Sequence, residues 1–239
     1  SGNNIVFVCN KNNINSLKRK YTKCNFALQK SQKGTADAVL TAKKFINKKS
    51  NILILFADVP LINISTLKKL INNYHKKKSN GSMIAFNAKN PFGYGRVLTD
   101  KNKVTSIVEQ LNASNEIKKI SLCNAGIMIC NYQLLFSYIK KINNKNIKKE
   151  KYLPDIFRLF HKNNKSFNYI LCNEDEMLGV NTINDFNKVD NFGCGYFQVT
   201  EKNGLRCSAA VGYLKSIKNR NNLKIITKAH VKNINFDKK

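Results

Sequence analysis

No run of apolar residues in this chain approaches the ~18 that a membrane-spanning helix needs, so none is expected. No basic segment precedes the apolar stretch of the N-terminus, SGNNIVFVCN, so a secretory signal is not expected either. The seven cysteines are odd in number and scattered, without a CxxC pair, and the three histidines (His75, His161, His230) do not cluster. That pattern argues against a disulfide framework and suits reduced, mostly buried thiols in the cytosol. Acidic side chains are scarce, 14 against 42 lysines and arginines, for a formal charge of +28. Arginine is scarce too, limited to Arg19, Arg96, Arg158, Arg206 and Arg220. Arginine is the usual choice for bidentate contacts to phosphates and bases. The lysines stand in pairs and triples along expected helix faces (Lys43-Lys44, Lys68-Lys69, Lys76 to Lys78, Lys140-Lys141), with no single patch interleaved by aromatics. The composition fits AT-rich coding DNA and weak, salt-sensitive adhesion to polyanions rather than specific nucleic-acid recognition.

With 239 residues, the chain can form one large α/β domain or two small ones, burying roughly 70–75% of its unfolded surface. Strand and helix patterns alternate over the first half. Strands are expected at Asn4 to Cys9, Phe26 to Gln29, Ile52 to Phe56 and Met83 to Asn87. Helices are expected at Ile14 to Tyr21, Thr35 to Asn47 and from Ser65 to about His75. Such a rhythm implies a parallel sheet with helices on both faces. A hairpin then follows, Arg96 to Leu98 and Val104 to Glu109, about the turn Thr99-Asp100-Lys101-Asn102. Beyond it come a strand from Ile120 to Cys130 interrupted at Asn124-Ala125-Gly126, and helices near Tyr132 to Ile142 and Leu153 to His161. A strand at Phe167 to Leu171 and a short helix at Thr182 to Val189 complete this part. The hairpin and the long strand add an antiparallel layer. After Val189 the texture changes, glycines crowd together, and the alternation stops. The expected division is residues 1–189 and 190–239.

The most informative run is ILILFADVPLI, residues 52 to 62. Its apolar half suits a strand buried on both faces of a parallel sheet. Asp58 follows at once, and Pro60 ends the ladder. Ligands of open α/β sheets bind at the carboxyl ends of strands. An acid there suits two roles, capping the next turn or holding a divalent metal against phosphates. In LQKSQKGTADAV, Gly34 and Thr35 end a strand-to-helix loop. They can cap the helix or offer its free N–H groups to a ligand. Gln29 carries both a donor and an acceptor, as base-edge recognition requires. In NPFGYGRVL and IVEQ, Gly93 and Gly95 allow close backbone approach, and Glu109 can accept from hydroxyls. Asn124 of CNAGI lies in mid-strand, a poor place for Asn unless it bonds something. Asn181 of LGVNT suits a helix N-cap or a metal ligand.

The order and spacing of Gln29, Gly34-Thr35, FADVPL, GYGR, IVEQ, NAGI, EKYLPDI and GVN over residues 4 to 189 resemble the bacterial UDP-N-acetylglucosamine pyrophosphorylase domain. That domain forms the N-terminal half of a bifunctional enzyme of peptidoglycan precursor synthesis. The resemblance implies a Rossmann-like nucleotidyltransferase sheet. The implied reaction joins UTP and N-acetylglucosamine 1-phosphate, giving UDP-N-acetylglucosamine and pyrophosphate in the cytoplasm. It implies that Gln29, Gly34 and Thr35 contact uridine, that Asp58 and Asn181 hold Mg²⁺, and that Gly95, Glu109 and Asn124 bind the amino sugar. The chemistry needs positioning and charge neutralisation more than covalent help, and the attacking phosphate is already ionised.

The sequence departs from the family in four places. Phe56-Ala57 replaces the usual Tyr-Gly, Asp37 stands where His is frequent, and Ala125 replaces a common Thr. The family's glycine-rich first loop, with its basic residues, precedes the point where this sequence starts. A strand missing from the sheet centre would leave backbone groups unpaired at ~1–3 kcal/mol each, against ~5–15 kcal/mol for a whole domain. The chain alone is therefore expected to be unstable or inactive. Asp190 to Asp237, with GYFQVT, NGLRCSAAVGYL and RNNLKIITKAHV, resembles an internal segment of choline dehydrogenase, a flavin-dependent oxidoreductase. That resemblance places Val231 beside the adenine of FAD, in a short α+β tail that lacks the family's GxGxxG fingerprint and catalytic His. Other readings follow: an FAD-dependent oxidoreductase fragment, a non-catalytic chimeric product, and a lysine-rich binding module without catalysis.

Overall fold

In the computed structural model, the described residues are 4–179, apart from 32, 78, 145, 147 and 148, together with 201–202 and 205–206. The chain divides into two compact units, Ser1–Val189 and Asp190–Lys239. In the second unit, Glu201–Lys202 pairs antiparallel with Leu205–Arg206. The expected helix at 182–189, Asn181 and Val231 lie outside the described residues.

The first unit alternates strands and helices in chain order: β1 (Val6–Cys9), α1 (Ile14–Lys20), β2 (Asn25–Leu28), α2 (Thr35–Ala42), β3 (Asn51–Ile54), α3 (Ile64–Lys76) and β4 (Gly81–Asn87). The hairpin β5 (Arg96–Asp100) and β6 (Lys103–Val108) follows, then α4 (Asn115–Lys118) and the ten-residue strand β7 (Leu122–Asn131). Helices α5 (Tyr132–Ile139) and α6 (Asp155–Lys162) and strand β8 (Phe167–Leu171) complete it.

Strand β7 organises the main sheet. Strand β4 runs antiparallel along one side of it. On its other side β5 meets its start, at Arg96 opposite Cys123, and β3 pairs with its end, from Ile54 opposite Met128 to Asn51 opposite Asn131. Strand β8 lies parallel to β4, and β6 closes the hairpin on β5. Strands β1 and β2 form a separate parallel pair, against which α2 packs.

Period-two alternation in β4 feeds two cores. Met83 and Ala85 join α5 and α6 residues on one side, and Ile84 and Phe86 join Leu70 of α3 on the other. Helix α3 presents Leu67, Leu70, Ile71 and Tyr74 at helical spacing to its core. Helix α6 buries Ile156, Phe157 and Phe160, and the Phe160 ring stacks on Phe167 at 4.7 Å. The rotations of the hairpin turn are supplied by Lys101 (φ 45°) and Asn102 (φ 62°), matching a type I′ turn.

Two expectations are corrected. The strand over residues 52–56 is not parallel, although its two faces do meet the two cores, Ile52 and Ile54 one and Leu53 the other. It ends at Ile54, pairs antiparallel with β7, and leaves Leu55 49% exposed. An unbroken apolar run specifies burial and not strand direction. Strand β4 is buried on both faces and carries the polar Ser82 within it. The helix expected over residues 35–47 gives way to a tighter 3₁₀ turn at Lys43–Phe45.

Candidate functional site

One cleft of about 440 Å³ opens at the carboxyl end of β3, where open α/β sheets bind ligands. Thr35, Asp58, Gly95, Glu109 and Asn124 all line it. Five expected site residues from five separate segments thus share one cavity. Gln29 and Gly34 are not among its described lining residues. They lie one loop behind Thr35, where the Gln29 amide Nε2 donates to the Gly34 carbonyl at 3.3 Å and to Asp37 Oδ2 at 3.0 Å.

The α2 entrance is fastened to the segment before α6. Lys151 N–H donates to the Lys33 carbonyl at 2.8 Å, and Ala36 N–H donates to the Lys151 carbonyl at 3.0 Å. Leu153 N–H donates to Thr35 Oγ1 at 2.8 Å. Gly34, at φ 104°, makes this approach possible, because a Cβ there would stand 2.4 Å from the Lys151 oxygen. The expectation that the α2 N-terminus offers free N–H groups to a ligand is therefore corrected at Ala36, whose N–H is already bonded within the chain.

Asn124 and Gly126 form a bulge in β7, where the register with β4 jumps between Met83 and Ala85. Asn124 Oδ1 accepts from Gly126 N–H at 2.9 Å, and Asn124 N–H donates to the Gly95 carbonyl at 2.8 Å. This answers why Asn stands in mid-strand. Gly126 adopts φ 75° and takes the Phe56 ring against its bare Cα. Across the cleft, a Cβ on Gly95 would lie 3.1 Å from Glu109 Oε1. The chain thus brings Gly95, Glu109 and Asn124 together.

Sequence reasoning assigned no role to Arg96, Gln110 or Tyr152. Arg96 is 1% exposed. Its Nη1 donates to the Tyr94 carbonyl, and its Nη2 donates to Gln110 Oε1 at 2.8 Å and to the Lys118 carbonyl at 3.2 Å. Gln110 Oε1 also accepts from Gly93 N–H at 3.3 Å. One guanidinium therefore binds the loop before β5, the turn after β6 and the end of α4. The available signal was an arginine opening a strand in a chain whose bases are mostly lysine. Tyr152 lines the cleft. Burial first, then the carboxylates of Glu150, Glu109 and Asp155, push its phenol pKa up, so it stays a protonated donor.

Among the described lining residues the charged side chains are Asp58 and Glu109, both acidic. Among the described residues, no three His, Cys, Asp or Glu side chains are grouped to hold a metal by protein ligands alone. Mg²⁺ usually takes one or two carboxylates and completes its shell with phosphates and water. The exposed Asp58 at the cleft edge fits that donor pattern. No helix among the described residues is long and apolar enough to cross a membrane.

Comparison with known proteins places this cleft in context. The profile described as Nucleotidyl transferase matches residues 1–185. The bifunctional protein GlmU of Buchnera aphidicola subsp. Schizaphis graminum is 39% identical over 180 residues, covering 74% of this chain and 38% of that protein. The protein of the same name from Buchnera aphidicola subsp. Acyrthosiphon pisum (strain Tuc7) is 42% identical over 155 residues, 64% of this chain and 33% of that protein. The chain thus spans little more than a third of these curated relatives. Among solved structures, UDP-glucose pyrophosphorylase complexed with UDP-glucose shares the fold at a TM-score of 0.56 and 18% identity, over 76% of this chain and 70% of that one. The family match ends at residue 185, before Val231.

Proposed function

The chain belongs to the nucleotidyl transferase family, and we propose that its cleft serves uridylyl transfer from UTP to N-acetylglucosamine 1-phosphate. A phosphate oxygen of the sugar phosphate bonds to the α-phosphorus of UTP. The bond from that phosphorus to the bridging oxygen breaks, and pyrophosphate leaves. No proton need move, because the attacking oxygen is already ionised. The work of the protein is to align the two substrates and offset their charge.

In this reading Gln29, Gly34 and Thr35 hold the uridine, while Gly95, Glu109 and Asn124 hold the amino sugar. Glu109 accepts from sugar hydroxyls, and the protonated Tyr152 phenol is available as a donor beside it. Asp58 would hold Mg²⁺, with Asn181 as partner by sequence position. Mg²⁺ bound there would neutralise phosphate charge and make pyrophosphate a better leaving group. The observation that carries the reading is the convergence of Thr35, Asp58, Gly95, Glu109 and Asn124 on one cleft whose described charged side chains are acidic. Such a cleft suits phosphates through a divalent cation.

Calorimetric titration of UDP-N-acetylglucosamine against UDP-glucose, in Mg²⁺, tests the sugar assignment. The expected result is a preference for the acetamido sugar of about tenfold, lost on Asn124→Ala or Glu109→Ala. Equal affinity for the two sugar nucleotides contradicts it.

A further inference from the structure

The loop between β2 and α2 carries a pairing that the family pattern does not supply. Asp37, in the first turn of α2, faces Gln29 across eight residues of sequence. Gln29 Nε2 lies 3.0 Å from Asp37 Oδ2 and 3.3 Å from the Gly34 carbonyl oxygen. A primary amide has two N–H donors on its nitrogen and two lone pairs on its oxygen. A carboxylate and a peptide carbonyl can only accept. Both neighbours therefore select the same face of the amide, and the nitrogen must point at them. Both amide hydrogens are consumed by these two acceptors. What Gln29 has left to offer a ligand is Oε1, an acceptor.

We propose that Asp37 is a specificity-determining residue: by consuming the donors of Gln29 it makes that side chain an acceptor-only reader, which selects nucleotides whose base presents an imide N–H. The inference rests on the uridylyl-transfer reading, in which Gln29 faces the base. Uracil and thymine carry a hydrogen on N3, which Oε1 can accept. Cytosine has a lone pair at N3, and two acceptors would then face each other. A free glutamine amide could turn over and donate to cytosine instead. The Asp37 carboxylate prevents that turn, because reversal would set Oε1 against Oδ2. The chemical class selected is therefore a pyrimidine nucleoside triphosphate with a protonated N3. Asp37 does this without touching the nucleotide, and is a positioning residue.

The test measures affinities of UTP, CTP and N3-methyl-UTP, each with Mg²⁺, for the full chain and for Asp37→Ala and Asp37→Asn. Wild type is expected to favour UTP over CTP, and over N3-methyl-UTP, by about tenfold, the worth of one desolvated hydrogen bond. Asp37→Ala is expected to bring the UTP-to-CTP ratio to within about threefold, as one acceptor remains to orient the amide. Asp37→Asn is expected to relax the ratio as Asp37→Ala does, because its Nδ2 can donate to Oε1 of a reversed Gln29. Loss of helix stability alone would weaken both nucleotides equally and leave the ratio unchanged. An unchanged ratio in Asp37→Ala overturns the inference. So does wild type binding N3-methyl-UTP as tightly as UTP, a comparison that needs no variant to fold. If wild type binds no nucleoside triphosphate, the uridylyl-transfer reading fails and takes the inference with it. If wild type binds UTP in a way indifferent to Asp37, the inference alone fails.

Discussion

Arg96 Nη2 donates to Gln110 Oε1 at 2.8 Å from a side chain that is 1% exposed. The same oxygen accepts from Gly93 N–H at 3.3 Å. Burying a guanidinium is costly unless its donors are used. Here Nη1 and Nη2 hold the wall of the cleft that carries Gly93, Tyr94 and Gly95, while the buried Nε has no partner among the described residues. Arg96→Ala leaves the Tyr94 and Lys118 carbonyls without this donor and opens a cavity, and is expected to cost about 3 kcal/mol. Gln110→Ala, partly exposed, is expected to cost about 1 kcal/mol. Urea midpoints measure both. Equal midpoints for wild type and Arg96→Ala would show that the clamp is not stabilising.

Gly126 and Phe56 make a second pair with a separable prediction. A Cβ on Gly126 would stand 2.5 Å from Phe56 Cδ2, on a residue at φ 75°. Gly126→Ala is expected to cost about 1 kcal/mol from the backbone and about 1–3 kcal/mol from overlap. In Phe56→Ala/Gly126→Ala the overlap disappears and the backbone cost stays. The double variant should therefore be less destabilised than the sum of the two single variants. Strict additivity would show that the ring does not press on the bulge.

Glu176 sets a pH dependence. It accepts from Asn63 N–H at 3.0 Å and from Thr66 Oγ1 at 3.1 Å, fastening the start of α3. Burial raises its pKa, but these hydrogen bonds outweigh burial and hold it below the ordinary 4.5. The unfolded chain then binds the proton more tightly than the folded one. The stability Glu176 contributes is complete above the unfolded value and is lost as pH falls through the lower folded value. Melting temperatures of wild type and Glu176→Gln should differ by a constant amount well above pH 4.5 and converge as the pH falls below it. A gap that widens on acidification would contradict this sign.

The thiols of Cys130 and Cys172 are both pushed up to about 12, Cys130 by burial and Cys172 by burial and then by the Glu176 charge. At pH 8 only on the order of one thiol in 10,000 is then ionised. Among the described cysteines of the native protein, these two should be the last labelled by a disulfide reagent. Denaturation should expose all seven thiols of the chain. Labelling of Cys130 at the rate of a free thiol would contradict its burial.

Much of this fold was legible because its signals are local. The β7 bulge announced itself as a polar Asn two residues before a glycine inside an apolar strand. The hairpin turn was placed one residue early, since Lys101 carries no strong turn preference while adopting φ 45°. Strand direction at β3 was not legible, because its partner β7 lies more than sixty residues away and hydrophobicity carries no polarity of the chain. The cleft residues were found through ordered motifs, and each motif supplied a residue or loop end to one cavity. Arg96 was passed over because side-chain type does not announce a buried cation. The Gln29–Asp37 pairing was passed over because it depends on the turn that brings an amide and a carboxylate together.

The central claim is that Asp58 gives this cleft a metal-assisted hold on nucleotide phosphates. Calorimetric titration of UTP into the full chain, with and without Mg²⁺, in wild type and Asp58→Ala, tests it most directly. Wild type should bind UTP at least about tenfold more tightly with Mg²⁺ than without it, and Asp58→Ala should lose that dependence while keeping its fold by circular dichroism. UTP affinity that ignores Mg²⁺ in wild type, or that keeps its full Mg²⁺ dependence in Asp58→Ala, would contradict it.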